Sequence, residues 1–167
     1  RALELAEGAT EGAVLADLGV LEQQHRHLDE AKALYLRALP ILVEADAQRD
    51  EGRVLGNLGA VHHDLGEFDD AKRNYRRALG VFGEVGDRRL EGIFLANLGV
   101  LEVEREELSE ARTHFRRGLE ILEAVGDKRL VAITLGNMGT LSHTEGDLSH
   151  ARRCHEDAMA LLREVGD

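Results

Sequence analysis

Residues 86–99 read GDRRLEGIFLANLG, and the Leu-Gly pair at the end of this stretch belongs to a unit that the chain repeats. The unit is forty residues long and returns without insertions. Its Leu-Gly pair stands at Leu18-Gly19, Leu58-Gly59, Leu98-Gly99 and, as Met-Gly, at Met138-Gly139. A fixed period of roughly 20–50 residues is typical of a solenoid, in which each repeat packs only on its neighbours. The sequence therefore predicts a long interaction surface rather than one catalytic pocket.

The period divides the chain into the repeats 11–50, 51–90, 91–130 and 131–167. Residues 1–7, RALELAE, resemble residues 117–123, RGLEILE, so residues 1–10 are predicted to be the end of a preceding repeat helix. Residues 11–167 then form one array, and the chain is predicted to be cut from a longer one. Solenoids need polar capping repeats for solubility, so the uncapped ends are candidate surfaces for self-association.

Each repeat contains two helical patterns, here called helix A and helix B. Helix A has apolar residues at helical spacing, as in Leu55, Leu58 and Leu65. Helix B has a stripe at i, i+4, i+7 and i+8, as in Ala71-Tyr75-Ala78-Leu79. Helix B is predicted to stop where glycine can adopt the left-handed cap and aspartate can begin the next helix, at Gly86-Asp87 and Gly126-Asp127. It is predicted to start behind the capping residues Asp29, Asp69, Ser109 and Ser149.

The glycine of each Leu-Gly pair lies inside helix A, where it costs about 1 kcal/mol relative to alanine. Its recurrence at one position predicts close packing on helix B. The predicted partners are the alanines at 31, 71, 111 and 151, with the ring at 35, 75 or 115 beside them. In the last repeat His155 takes the place of the ring and is predicted to pack there.

Composition argues against several classes of function. The net charge is −11, which disfavours nonspecific nucleic-acid binding and docking on anionic membranes, because both require an excess of Lys and Arg. No run of eighteen apolar residues and no signal-like start is present. The single Cys154 has no partner within the chain for a disulfide. These features predict a cytoplasmic protein without a membrane partner.

The repeat resembles the tetratricopeptide repeat, whose pattern is W-x2-L-G-x2-Y, then A-x3-F, then A. The second repeat matches it with Leu55-x2-Leu58-Gly59, Ala71-x3-Tyr75 and Ala78. Leucine replaces the Trp, and the Tyr position of helix A holds Glu22, His62, Glu102 and Ser142. The forty-residue period is similar to the longer variant found in kinesin light chains, Partner of Inscuteable and bacterial regulators. The resemblance implies an all-α, right-handed superhelical solenoid of helix-turn-helix repeats that binds proteins or peptides on a concave face lined by A helices.

One column of this implied face precedes the Leu-Gly pair and holds Asp17, Asn57, Asn97 and Asn137. An asparagine amide offers a donor and an acceptor, which matches the backbone of an extended peptide. Alternatively, each asparagine bonds a neighbouring repeat and only sets the geometry of the array. Arg53 lies one turn before Asn57, and the two are predicted to grip a carboxylate or a carbonyl. The remaining candidate residues on this face are His63, Thr140 and His143.

Other residue clusters carry weaker hypotheses. The histidine spacings do not place two ligands on one helical face, so no metal and no cofactor is predicted. The cations of helix B are interpreted as a salt-bridged outer face rather than a nucleic-acid strip. Ile93 and Asn97 stand where chaperone-binding members of the family have Lys and Arg, so binding of chaperone tails is not expected. No catalytic constellation is found.

The sequence thus predicts a noncatalytic protein- or peptide-binding scaffold that is part of a larger regulatory or signalling protein. The alternative is a structural role, in which the array packs end to end or on neighbouring domains.

Overall fold

The computed structural model describes residues 2–166, in which eight α-helices and no strand occur. The A helices are α1 (Ala2–Gln24), α3 (Gln48–Asp64), α5 (Arg88–Glu104) and α7 (Lys128–Thr144). The B helices are α2 (Leu28–Glu44), α4 (Phe68–Val85), α6 (Leu108–Val125) and α8 (Leu148–Val165). The predicted all-α fold of helix-turn-helix repeats is confirmed. None of the described helices is long and apolar enough to cross a membrane.

The chain forms two compact units, each built from two repeats. Unit 1 contains α1–α4 and ends at Gly86, and unit 2 begins at Asp87 and contains α5–α8. In both units an A helix packs on the B helix that follows it, and this B helix packs on the next A helix. Tyr35 and Leu42 of α2 are fully buried in the core of unit 1, and Phe115 and Leu122 of α6 are fully buried in unit 2.

The first helix differs from the sequence prediction for residues 1–10. The described part, residues 2–10, does not end as a separate helix but continues into the first A helix, so that α1 is 23 residues long. The reason is local: in the forty-residue register Ala6 and Glu7 occupy the positions of Gly126 and Asp127, the residues that stop α6 and start α7. Ala6 and Glu7 supply neither a left-handed glycine nor a capping aspartate, and the helix continues through them.

The ends of α4 and α6 follow the prediction. Gly86 and Gly126 have φ of 75° and 78°, the left-handed conformation that glycine adopts without a steric penalty. The next residues, Asp87 and Asp127, each accept a hydrogen bond from a backbone N–H three residues later. One glycine and one aspartate therefore end a B helix and begin the following A helix.

The predicted caps of the B helices were wrong. Asp29, Asp69, Ser109 and Ser149 lie in the first turn, because α2, α4, α6 and α8 each begin one residue earlier. The turn between helices A and B explains the shift. Arg26, Gly66, Glu106 and Gly146 adopt positive φ there and reverse the chain, so helix B starts two residues later, before those side chains can cap it. Asp147 is the cap of α8, and its side chain accepts a hydrogen bond from the His150 N–H.

The helix A glycines pack closely, as predicted, but their partner is the aromatic ring rather than the alanine. A Cβ on Gly19 would lie 2.6 Å from the Tyr35 ring, and one on Gly99 would lie 2.6 Å from the Phe115 ring. The alanines of helix B are buried beside these rings. Gly139 faces the His155 ring in the same way, as predicted, although His155 is an exposed residue.

Candidate functional site

In unit 1 the asparagine of the predicted column is bound to the preceding repeat. The fully buried Tyr35 donates a hydrogen bond from its hydroxyl to Gln23 Oε1 at 3.1 Å. The side chain of Asn57 also hydrogen-bonds this hydroxyl. Burial raises the pKa of Tyr35 to about 12, although the bond from Asn57 and the charge of Arg53 oppose the shift. This contact with the preceding repeat is the kind that the second alternative for the column predicts.

Arg53 lies beside Asn57 on α3, but carboxylates of unit 1 already surround its guanidinium group. Its Nη1 donates to Asp50 Oδ1 at 3.0 Å, and its Nη2 lies 3.9 Å from Asp17 Oδ1. The side chain of Asp17 is 73% exposed and that of Arg53 is 47% exposed. A ligand carboxylate at Arg53 would have to compete with two aspartates, which weakens the predicted carboxylate grip.

The other candidate in unit 1, His63, lies near the end of α3 and is half-buried. Its ring centroid is 5.9 Å from that of Phe68, at the start of α4, with the two rings tilted. This contact lies where helices A and B of one repeat meet.

In unit 2 two of the predicted residues line a recess on the A-helix face. The recess has a volume of about 140 Å³ and is lined by Val100, Val103, Glu104, Phe115, Asn137 and Thr140. The first three residues belong to α5, Phe115 to α6, and Asn137 and Thr140 to α7. The Thr140 hydroxyl donates to the Gly136 carbonyl at 3.3 Å, so its lone pairs remain able to accept a hydrogen bond.

The remaining predicted residues of unit 2 lie on the same two A helices but do not line this recess. Asn97 is half-buried on α5, and His143 is exposed in the last turn of α7. Of the eight candidates, the structure therefore brings together Arg53, Asp17 and Asn57 in unit 1, and Asn137 and Thr140 in unit 2.

A recurrent hydrogen bond near the turn between helices A and B was missed by the sequence prediction. It joins a polar residue at the Tyr position of the repeat pattern to a later side chain, and one of the two is always a histidine. The pairs are Glu22 with His27 at 2.7 Å, His62 with Glu67, Glu102 with His114 at 2.6 Å, and Ser142 with His150 at 2.7 Å. The signal in the sequence was a column of polar residues where the family has Tyr.

One of these pairs belongs to a group that could hold a metal ion. Ligand atoms of His62, Glu67 and Asp70 lie within 4.8 Å of one another. However, the Lys32 ammonium is 2.6 Å from Glu67 Oε2, and Arg73 pairs with Asp70. Hydrogen bonds from Lys32 and then His62 lower the pKa of Glu67. Side-chain cations already compensate these carboxylates, so a metal ion would have to displace them.

The cations of helix B form ion pairs, which supports the salt-bridged outer face. Arg112 pairs with Glu145, and Arg117 Nη2 lies 2.9 Å from Glu91 Oε1. Cys154, also on a B helix, is buried, and burial raises the pKa of its thiol. This environment disfavours the thiolate that a reactive cysteine requires.

Comparison with known proteins agrees with the helix-turn-helix architecture. The chain is similar to BtubC (BKLC) from P. vanneervenii, with 22% identity over 92% of this chain and 64% of that chain and a TM-score of 0.84. It is similar to aspartyl phosphate phosphatase F from Bacillus subtilis, with 16% identity over 95% of this chain and 42% of that chain and a TM-score of 0.89. It is also similar to a Rap protein complexed with Competence and Sporulation Factor, with 17% identity over 92% of this chain and 43% of that chain and a TM-score of 0.81.

These similarities concern the fold alone, and the chain spans less than two thirds of the length of each of these proteins. A comparison with curated proteins gives no match. The sequence model described as Tetratricopeptide repeat matches residues 50–124 and 93–164, which together span most of the chain. With the four helix A and helix B pairs, this match identifies the architecture: the chain belongs to the tetratricopeptide-repeat family.

Proposed function

We propose that the chain is a noncatalytic module that binds an extended protein segment on its A-helix face, as part of a larger regulatory or signalling protein. The observation that carries this proposal is the recess in unit 2, where Asn137 and Thr140 stand at an apolar floor. An extended segment has unpaired backbone N–H and C=O groups, and the asparagine amide can pair with both. A cytoplasmic location remains a prediction from the sequence.

The member of the asparagine column that best supports binding is Asn137 in unit 2. The amide of Asn57 is already bonded to Tyr35, whereas Asn137 stands beside Phe115, which has no hydroxyl. Asn97 is half-buried and partly open to solvent on α5. We therefore place the main contacts of the segment on α5 and α7.

A catalytic role has no comparable support. One of the similar proteins is named a phosphatase, but the chain spans 42% of it at 16% identity. The one cysteine of the chain is buried, with the pKa of its thiol raised. The Rap protein of the third comparison was solved with a bound factor, which is consistent with a binding role for the fold.

A structural role is the second candidate, and exposed apolar residues on α1 favour it. Leu18 and Leu21 are 45% and 47% exposed, whereas their counterparts in the next repeat, Leu58 and Val61, are buried where α2 packs on α3. A second array or a neighbouring domain would cover α1 in the same way as α2 covers α3. In this alternative, the A-helix face has no ligand.

Binding of a random library of extended peptides separates the two roles. The chain is compared with a double variant, Asn97→Ala with Asn137→Ala, and with a control, Arg76→Ala with Arg116→Ala, on the exposed side of α4 and α6. Each lost hydrogen bond costs about 1 kcal/mol, so the double variant should bind selected peptides roughly thirtyfold more weakly. The control should bind them as the wild type does.

Equal binding by the folded double variant would show that these asparagines do not contact the peptide. Light scattering over a range of concentrations tests the structural role, with Leu18→Glu as the variant that should abolish association. A chain that stays monomeric at high concentration would count against self-association.

A further inference from the structure

Four of the six residues that line the recess of unit 2 differ from their counterparts in unit 1, and two of these differences remove a hydrogen-bonded pair. Phe115 stands where unit 1 has Tyr35, and Val103 stands where it has Gln23. In unit 1 the Tyr35 hydroxyl and the Gln23 amide are hydrogen-bonded to each other at 3.1 Å, and Asn57 bonds the same hydroxyl. Neither the hydroxyl nor the amide is present in unit 2. The space has apolar walls, and Asn137, the counterpart of Asn57, stands at it without a tyrosine partner.

The recess has the size of one side chain. Its volume is about 140 Å³, close to that of an engineered apolar cavity, about 150 Å³, that accepts benzene. Val100 and Val103 supply apolar surface for the stem of a side chain, and Phe115 is fully buried beneath the recess. A ligand side chain in this space would therefore be removed from water and would contact no basic residue of the lining.

The polar atoms of the recess determine which terminal group of a ligand side chain fits there. The six lining residues supply a carboxylate from Glu104, an amide from Asn137 and a hydroxyl from Thr140, but no cation. Oxygen acceptors of all three are suited to an ammonium group, which has three donors and no acceptor. The net charge of −11 disfavours an acidic ligand in the same place.

We propose that this recess is a subsite for a basic side chain, lysine in the first place, of the bound segment. Its aliphatic stem packs on the two valines above Phe115, and its ammonium group donates to Glu104, Asn137 and Thr140 at the rim. Long basic side chains bury their stems and keep their charge near water in this manner. This inference rests on the proposed function, since it assigns one position of the extended segment.

The test converts unit 2 to the arrangement of unit 1. The filled variant, Val103→Gln with Phe115→Tyr, places an amide and a hydroxyl in the recess, where Asn137 can bond the hydroxyl as Asn57 does in unit 1. A pool of random nine-residue peptides displayed on phage is selected on the wild type and on this variant, and circular dichroism verifies that both fold. The two proteins have the same net charge, so general attraction of basic peptides to an acidic chain cancels.

Peptides from the wild-type pool should carry Lys at one position several-fold more often than peptides from the filled-variant pool. Thr140→Val, a change of similar shape at an exposed position, should lower the affinity for a selected peptide. Replacement of the peptide's lysine by norleucine should lower the affinity about fivefold, the upper range for an exposed ion pair. Pools with equal lysine content, or equal binding of the norleucine peptide, would overturn the basic subsite and leave the proposed function intact. Failure to enrich any peptide on the wild type would refute both.

Discussion

Substitution of Gly99 by alanine tests the packing that holds helices A and B together. A Cβ at this position would lie 2.6, 2.7 and 2.9 Å from three carbons of the Phe115 ring. Phe115 is fully buried, so the ring has no solvent to move into. Added volume in a packed core costs about 1–3 kcal/mol, and alanine recovers about 1 kcal/mol of helix propensity. We expect Gly99→Ala to lower the free energy of unfolding by about 1 kcal/mol.

The matched control is Gly80→Ala on α4, where a Cβ would meet no atom within 4 Å. Here only the helix propensity changes, so the variant should gain about 1 kcal/mol. The two variants should therefore differ by about 2 kcal/mol, or roughly 4–8 °C in melting temperature for a chain of this size. Urea titration followed by circular dichroism, with a thermal melt as second readout, measures both.

Two further variants separate ring packing from other effects. Phe115→Leu in the Gly99→Ala background removes the ring, so the alanine should no longer be more costly than glycine. Gly139→Ala faces the exposed His155, which can turn toward solvent, and should be neutral or stabilising. If Gly99→Ala stabilises the chain as much as Gly80→Ala, the ring does not pack on this glycine and the reasoning fails.

The remaining predictions concern helix ends. A hydrogen bond from the Leu130 N–H, followed by a hydrogen bond from Arg89, lowers the pKa of Asp127 below its ordinary value of 3.8. The stabilising effect of the Asp127 carboxylate is therefore present above pH 3.8 and is lost as the pH falls through the lowered pKa. Asp127→Asn keeps the acceptor, and its urea midpoint should therefore approach that of the wild type between pH 5 and pH 3; a constant difference would contradict the assignment. Glu106 has φ of 60°, and Glu106→Gly should raise the free energy of unfolding by about 0.5–1 kcal/mol. The converse change, Gly66→Ala at φ of 76°, should lower the free energy of unfolding by about 1 kcal/mol. Chemical denaturation of both variants measures these changes, and an effect of opposite sign in either variant would contradict the reasoning.

The ends of helices could be predicted where the determinants are local. The Gly-Asp pairs at 86–87 and 126–127 contain both a left-handed cap and a capping aspartate, and these act within a few residues. The turn between helices A and B was harder, since Arg26 and Glu106 adopt a left-handed conformation that their residue types do not announce. That conformation is imposed by the packing of the two helices that the turn joins.

The sequence alone determined the forty-residue period, the helix pairs and the family, because these follow from the spacing of apolar residues and from residues close together in the chain. Only the tertiary structure decided what surrounds Asn57 and Asn137 of the candidate column. Asn57 bonds Tyr35, 22 residues earlier, while Asn137 stands at the recess with Phe115, 22 residues earlier in the same way. One hydroxyl on a distant helix separates the two environments, and a difference of this kind becomes visible only when packing brings the helices together.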